Sequence, residues 1–435
     1  MRNKGKSVDF ITLGCSKNLV DTERVMRQLQ VAGFTVTADP EQPHAPIAII
    51  NTCGFIGDAK EESIRTILQF CERKKQGKLQ RLYVMGCLSQ RYFEELQTEI
   101  PEVDRFYGKF DFEKVVKELG SMWHSECNHE RVLTTPAHYA YVKIAEGCNR
   151  TCSYCAIPII TGAYKSRPIE EIIDEVKWLV SEGVSEFQLI AQDLSWYGTD
   201  LYKTNRLADL VRSISDVPGV HWIRLHYAYP TSVTPELLDV MRERDNVCKY
   251  LDIALQHISD SMLKKMRRGV NKQGTYDLIA RLRREVPGIC LRTTLMVGHP
   301  GETEQDFEEL VTFVKDVRFD RMGAFAYSDE ENTYAATHYT DDVPDEVKHQ
   351  RLSTLMAVQQ KISDELNRQW VGREEEIVID RLEGDYYVGR SQYDSPEVDL
   401  EWLVKADEAL QTGRYYKARV ISAAEFDLYA EIVKE

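Results

Sequence analysis

Cys148–Cys155 reads CNRTCSYC: three cysteines in eight residues, and no fourth follows. A disulfide uses two thiols and a structural zinc site four ligands, so the C-x3-C-x2-C spacing suits neither. Three thiolates on an iron–sulfur cube leave one iron with an open position, which an amine and a carboxylate of a bound molecule can fill. The open position separates a reactive cluster from an electron-storing one, as it separates catalytic from structural zinc. The stretch directly follows AYVKIAEGC, a short apolar segment with strand character. Downstream, strand-like runs recur at Phe187–Ala191, Trp222–Tyr227, Tyr250–Leu255, Cys290–Val297 and Met322–Ala326. Helical patterns such as Ile169–Ser181, Ser259–Arg268 and Thr303–Lys315 separate most of them. Six βα units predict a partial or complete barrel whose site lies at the C-terminal ends of the strands, where this loop begins.

Upstream, one grammar repeats three times. VDFITLGCSKN leads into a helical pattern at Asn18–Val31, PIAIINTCGFIGD into Asp58–Lys75, and RLYVMGCLSQ into Ser89–Thr98. Cys15, Cys53 and Cys87 thus each follow a strand and precede a helix, which puts them on one edge of an open parallel sheet. Nearby helix N-termini favour thiolate over thiol, and Gly14, Gly54 and Gly86 let the backbone approach a bulky inorganic group. A second ligand triad is expected there.

Downstream, Pro344 to about Gln369 predicts one long helix with Leu352, Leu355, Met356, Ile362 and Leu366 on one face. Past Gly372 five short strands and no helix predict a small OB-like β-barrel. The fold expected is therefore α/β, with domains at 6–125, 134–366 and 367–435.

The 435 residues carry a net charge of −15, and Val371–Glu435 alone hold 16 Asp or Glu against 8 Lys or Arg. Such a balance favours a basic partner over a phosphate backbone. No apolar run reaches the ~18 residues of a membrane span. The lead MRNKGKSVDFITLG lacks the apolar core of a secretion signal, so a cytoplasmic, thiol-reducing setting is expected.

CNRTCSYC resembles the cluster loop of the radical S-adenosylmethionine enzymes, with Tyr154 as the aromatic expected near the cofactor. The whole chain resembles their methylthiotransferases, which combine a leading domain holding a second cluster, a radical barrel and a closing TRAM barrel. That resemblance implies two 4Fe–4S clusters, on Cys148, Cys152 and Cys155 and on Cys15, Cys53 and Cys87, with S-adenosylmethionine at the open iron of the first. Within the family, TLGCSKNLVDTE and NTCGFIGDAKEESI are similar to the RimO-type branch, which modifies the β-carbon of an aspartate in small-subunit ribosomal protein twelve. The other branch modifies adenosine in transfer RNA and shows Gln-Met-Asn after the first cysteine and Ser after the second. The implied partners are the basic ribosomal protein, free or on the ribosome, an electron donor and a sulfur donor, with no membrane and RNA contact secondary at most.

Cofactor contacts are expected at Tyr154, Gln192, Asp193, Gln256 and Arg292, beside the plainer reading of strand-end caps or loop hydrogen bonds. Arg224 equally reads as an interior ion pair. A zinc loop completed by His226 or His257 is the alternative for the first triad, and a non-catalytic ribosome-assembly factor is the alternative for the chain. Cys71, Cys127, Cys248 and Cys290 read as small apolar residues. YSDEENTYA departs from the family wording Glu-Gly-Thr-Pro, with Asn332 and Tyr334 at the Gly and Pro positions.

Overall fold

The computed structural model describes residues 6–434; the basic lead Met1–Gly5 and Glu435 lie outside the described residues. The leading sheet contains β1 (Ser7–Thr12), β2 (Thr35–Ala38), β3 (Ile47–Thr52), β4 (Arg81–Gly86) and β5 (Arg105–Phe106), all parallel in the order β2-β1-β3-β4-β5. Every residue of β3 is buried, as befits a central parallel strand covered on both faces. Three helices matter for the site: α1 (Ser16–Val31), α2 (Gly57–Lys75) and α3 (Cys87–Arg91). The helical pattern expected at Ser89–Thr98 is broken at Tyr92. Helix α1 buries Val25, Met26 and Leu29 against the sheet, yet Asp21 and Glu23 are buried as well. A helix with carboxylates inside must meet cations on its other side, and the next domain supplies them.

That domain begins with β6 (Tyr139–Lys143). A short antiparallel pair, β7 (Ala145–Glu146) and β8 (Lys165–Ser166), forms the neck of the three-cysteine loop. Then come β9 (Glu186–Ile190), β10 (Trp222–Ala228), β11 (Val247–Gln256), β12 (Cys290–Val297) and β13 (Arg321–Ala326). The six long strands form an open parallel sheet in the order β13-β12-β11-β10-β9-β6, a partial barrel with helices outside. Its core joins Val142, Leu189, Leu225 and Ile253 to the apolar face of the helix Ile169–Ser181. The helix Glu304–Val317 starts at a capping box between Thr303 and Asp306. Asn332 adopts φ +63, so it supplies the left-handed turn that the family's glycine would give.

The long helix Asp345–Arg368, capped by Pro344, leads to a closed barrel. Its strands are β14 (Glu374–Glu383), β15 (Tyr386–Ser391), β16 (Glu401–Lys405), β17 (Tyr415–Ala423) and β18 (Asp427–Ile432). Trp402 is fully buried inside and donates from Nε1 to Asp394 (3.0 Å). This barrel seals the N-terminal end of the core strands, where Trp222, Cys248, Tyr250 and Cys290 pack on Val378 and Tyr415. Glu186 at the start of β9 binds Arg224 (3.1 Å) and Arg390 of the barrel (2.8 Å). Arg390 also pairs with Asp380 (2.5 Å), which faces His138 (2.7 Å). Arg224 is therefore the interior ion pair read as its alternative.

Candidate functional site

Cys15 joins β1 to α1, Cys53 follows β3, and Cys87 opens α3. The three turns lie against each other with no room for side chains between them. A Cβ on Gly14 would stand 2.7 Å from Cys53 Cβ and 2.9 Å from its Sγ, and one on Gly54 would stand 2.6 Å from the backbone of Leu88. The glycines thus bring the cysteine turns together, a closer constraint than approach to a ligand. Asn18 donates to the carbonyls of Leu13 (3.0 Å) and Thr52 (3.1 Å), and its Oδ1 accepts from the Cys87 thiol (3.6 Å).

Proximity to helix N-termini does not govern all three thiols. Burial pushes Cys87 up to about 12 and also raises Cys53. At Cys15 burial likewise acts upward, but Lys17 and Lys109, together with the Asn18 and Lys17 amides at the start of α1, outweigh it and leave the thiol below its ordinary value. Cys15 is solvent-accessible although burial is the largest influence on it. Cys87 feels the charge of Cys15 and Cys53, and Cys53 that of Cys15.

The second triad hangs from β7. Arg268 donates to Cys152 Sγ (3.2 Å), to Tyr154 Oη (3.3 Å) and to the carbonyl of Ala254, and its guanidinium lies over the Tyr229 ring. The Arg150 amide donates to Cys148 Sγ (3.4 Å), and its side chain pairs with Asp193 (2.7 Å). The loop is fixed from below: the Ser153 amide donates to the Met266 carbonyl (3.1 Å), and the Ser153 hydroxyl meets His299 (3.1 Å). Burial raises Cys148 to about 11 and Cys155 to about 12.

The two triads face each other across one interface. Cys87 packs on Ala156 and Ile160, immediately after Cys155. Beside this contact runs a chain of buried charges. Lys109 binds Asp21 (3.1 Å), Asp21 also accepts from Lys143, Lys143 reaches Glu146 (2.7 Å), and Glu146 accepts from Gln192. Burial would raise Glu146, but Lys143 and Lys109 hold it down at about 2. Farther out, Glu330 takes both Arg91 (2.6 Å) and Lys60 (2.9 Å).

Of the residues expected at the cofactor, Tyr154 sits inside the loop among Met266, Met296 and Tyr327. Gln192 and Asp193 follow β9, and Gln256 ends β11 with φ +72. Arg292 is elsewhere: third in β12, it pairs with Asp399 of the small barrel (3.2 Å), so the structure does not bring it to the thiols. The alternative zinc ligands are also engaged otherwise. His226 Nε2 meets Gln188 (2.8 Å), and His257 Nδ1 accepts the Ser259 amide (3.0 Å). Sequence reasoning missed Arg268, Lys109, Lys143 and Asp21. A basic pair in the RRG turn after a helix marked Arg268; nothing local marked the rest.

The donor set fits the implied groups. Each triad gives soft thiolate ligands suited to iron–sulfur binding. Near the second, Gln192 Oε1 and Gln256 Oε1 are buried without partners, as acceptors awaiting a polar ligand would be.

Residues 142–314 match the radical SAM superfamily, 7–108 the uncharacterized protein family UPF0004, and 371–433 the TRAM domain. Among curated proteins, the ribosomal protein uS12 methylthiotransferase RimO of Phocaeicola vulgatus is 64% identical over 99% of this chain and 100% of its own length. The Bacteroides fragilis protein of that name is 62% identical, again over 99% of this chain and 100% of its own length. Among solved structures, the radical S-adenosylmethionine methyltransferase TsrM of Kitasatospora setae, with cobalamin and a 4Fe–4S cluster bound, superposes with TM-score 0.53 at 15% identity. That match covers 74% of this chain and 75% of the other. The cobalamin-dependent enzyme OxsB gives 0.51 at 13%, over 82% of this chain and 56% of its own. Both show likeness of fold alone. No described helix is long and apolar enough to cross a membrane.

Proposed function

This chain belongs to the RimO family of ribosomal protein uS12 methylthiotransferases, within the radical SAM superfamily, and from that premise we propose that it attaches a methylthio group to the β-carbon of an aspartate in uS12. Cys148, Cys152 and Cys155 hold one 4Fe–4S cluster, and Cys15, Cys53 and Cys87 hold a second. Bound there, the clusters and two molecules of S-adenosylmethionine per turnover supply an electron-driven hydrogen abstraction and a methylated sulfur. The observation that carries this reading is the pairing of two three-thiol sites across one interface, joined where Cys87 touches Ala156 and Ile160.

The chain's own residues set the geometry and exclude water. Arg268 offsets the charge of Cys152 and stacks on Tyr229, which fixes the loop. Gln192 and Gln256 present free carbonyl oxygens toward an ammonium, and Tyr154 closes the apolar wall. The Lys109–Asp21–Lys143–Glu146 chain holds the leading domain against β6, so the distance between the triads is set by buried ion pairs. The acidic small barrel exposes Asp385, Asp407, Glu408 and Glu425, a surface complementary to a basic ribosomal protein, free or ribosome-bound. A separate electron donor and sulfur donor complete the cycle, in the cytoplasm.

The test is an anaerobic assay of the reconstituted protein with reductant and S-adenosylmethionine. A uS12 peptide and a transfer-RNA anticodon stem are offered in parallel and read by mass spectrometry. The expected result is a methylthio group on the peptide aspartate alone. Modification of the RNA instead overturns the substrate assignment, and no cleavage of S-adenosylmethionine at all overturns the catalytic one.

A further inference from the structure

Among the described residues, every buried lysine and arginine except Lys17 and Arg268 has a carboxylate oxygen within 4.0 Å. Arg268 spends its donors on Cys152, Tyr154 and Ala254. Lys17 is 8% exposed, and its ammonium lies 3.6 Å from the centre of the Tyr227 ring. An aromatic face attracts a cation but does not neutralise it, so among the described residues this buried charge has the Cys15 thiol near it but no carboxylate oxygen to pair with.

Its place in the fold says what kind of anion it would take. Lys17 is two residues from Cys15 and is the foremost charge acting on that thiol. Tyr227 comes from the opposite domain, at the C-terminal end of β10, where reacting groups gather in this architecture. Tyr227 is 37% exposed in a strand otherwise buried, and it adopts φ +62 beside an irregularity in the pairing of β10 with β11. A large aromatic held in the left-handed region is strained, and such strain persists where the surroundings require the side chain to point one way. Here it points across the interface at Lys17. The ammonium therefore lies at the interface of the two domains beside Cys15, on the side that would carry the sulfur.

We infer that Lys17 binds the side-chain carboxylate of the substrate aspartate and so positions the β-carbon, one bond from that carboxyl group, next to the leading triad. The inference rests on the function proposed above. A carboxylate supplies the oxygen partner that Lys17 lacks together with a full negative charge, and a neutral amide of the same shape does not. Lys109 and Lys143 cannot serve, because Asp21 and Glu146 already hold them. Arg150 is committed to Asp193.

The experiment measures anaerobic binding of two labelled uS12 peptides to the reconstituted enzyme by fluorescence anisotropy. One carries the target aspartate and the other asparagine at that position. Wild type prefers the aspartate peptide by at least about tenfold, the scale of a hydrogen bond to a charged group. Lys17→Met, similar in length but uncharged, binds both peptides with the affinity that wild type shows for asparagine. Lys17→Arg restores the preference. Iron content and cluster spectra are read on every variant, and Lys17→Gln replaces the Met chain if that chain does not load iron. A preference that survives in the neutral variants overturns the inference and leaves Lys17 as charge compensation for the cluster. A wild type that neither binds nor modifies either peptide overturns the substrate reading itself, and the inference with it.

Discussion

Cys152 and Cys87 stand in separate domains, and each belongs to a triad whose other members come from its own domain. Replacing either by Ala should therefore cost about four irons per chain and leave the other cluster loaded, measured by iron quantitation and electron paramagnetic resonance. Loss of both clusters from one substitution would show that the triads are not independent. Gly14→Ala tests the packing of the turns rather than their chemistry. Its φ of +91 and the closeness of Cys53 oppose any side chain. We expect a loss of about 1–3 kcal/mol of stability, read as a lowered melting midpoint of the metal-free chain, with impaired iron loading. At this scale the sequence was most legible. A thiol that leaves a strand end and precedes a helix writes itself into a few adjacent residues, so the placement of Cys15, Cys53 and Cys87 at the ends of β1, β3 and β4 was readable without a structure. Arg292 was misplaced for the converse reason: whether a strand residue points up or down the barrel depends on where the strand begins, and β12 begins at Cys290.

Among the elements, α1 carries the greatest burden. It is buried on two sides, and its carboxylates and guanidiniums meet the core domain. Glu175, on the helix Ile169–Ser181, is fully buried and receives Arg24 of α1 (3.1 Å), Arg131 (3.3 Å) and Arg167 (2.6 Å). Glu175→Gln leaves three guanidiniums without their shared counter-charge and should cost about 3–5 kcal/mol. Chemical denaturation measures the loss, and faster amide exchange in α1 would place it at the domain interface. An unchanged midpoint would mean that the three arginines find water instead. These pairs could not be read from the sequence. Periodicity reports which face of a helix is apolar, and α1 has no wholly polar face to betray its second contact. Glu175 and Arg24 lie too far apart in the chain for any local spacing to join them.

At the level of the whole molecule, the junction between the core and the small barrel has a defined response to acid. Burial would raise Asp380, but Arg390 foremost and then His138 hold its carboxyl down at about 2. A carboxylate depressed in the folded state contributes its full stability above the unfolded value near 4, and that contribution drains away as pH falls toward 2. The amount is on the order of 2 kcal/mol. Asp380→Asn should be less stable than wild type at neutral pH and should lose the acid-side slope between those two values, as thermal melts across pH would show. A slope that persists unchanged in the variant would assign it to other carboxylates. The order of the three domains was readable from the change of hydrophobic period along the chain, whereas their mutual seating was not, because it depends on buried charges drawn from distant segments. That seating has a consequence for the cell. The barrel proposed to recognise the substrate is also the stopper for the floor of the catalytic barrel, and Arg224, Glu186 and Tyr250 would be laid open without it. A chain truncated before Glu374 is therefore not an enzyme freed from its target but a damaged one, fit for proteolysis. Radical production and target recognition are lost in the same event, and no untethered radical source is left behind.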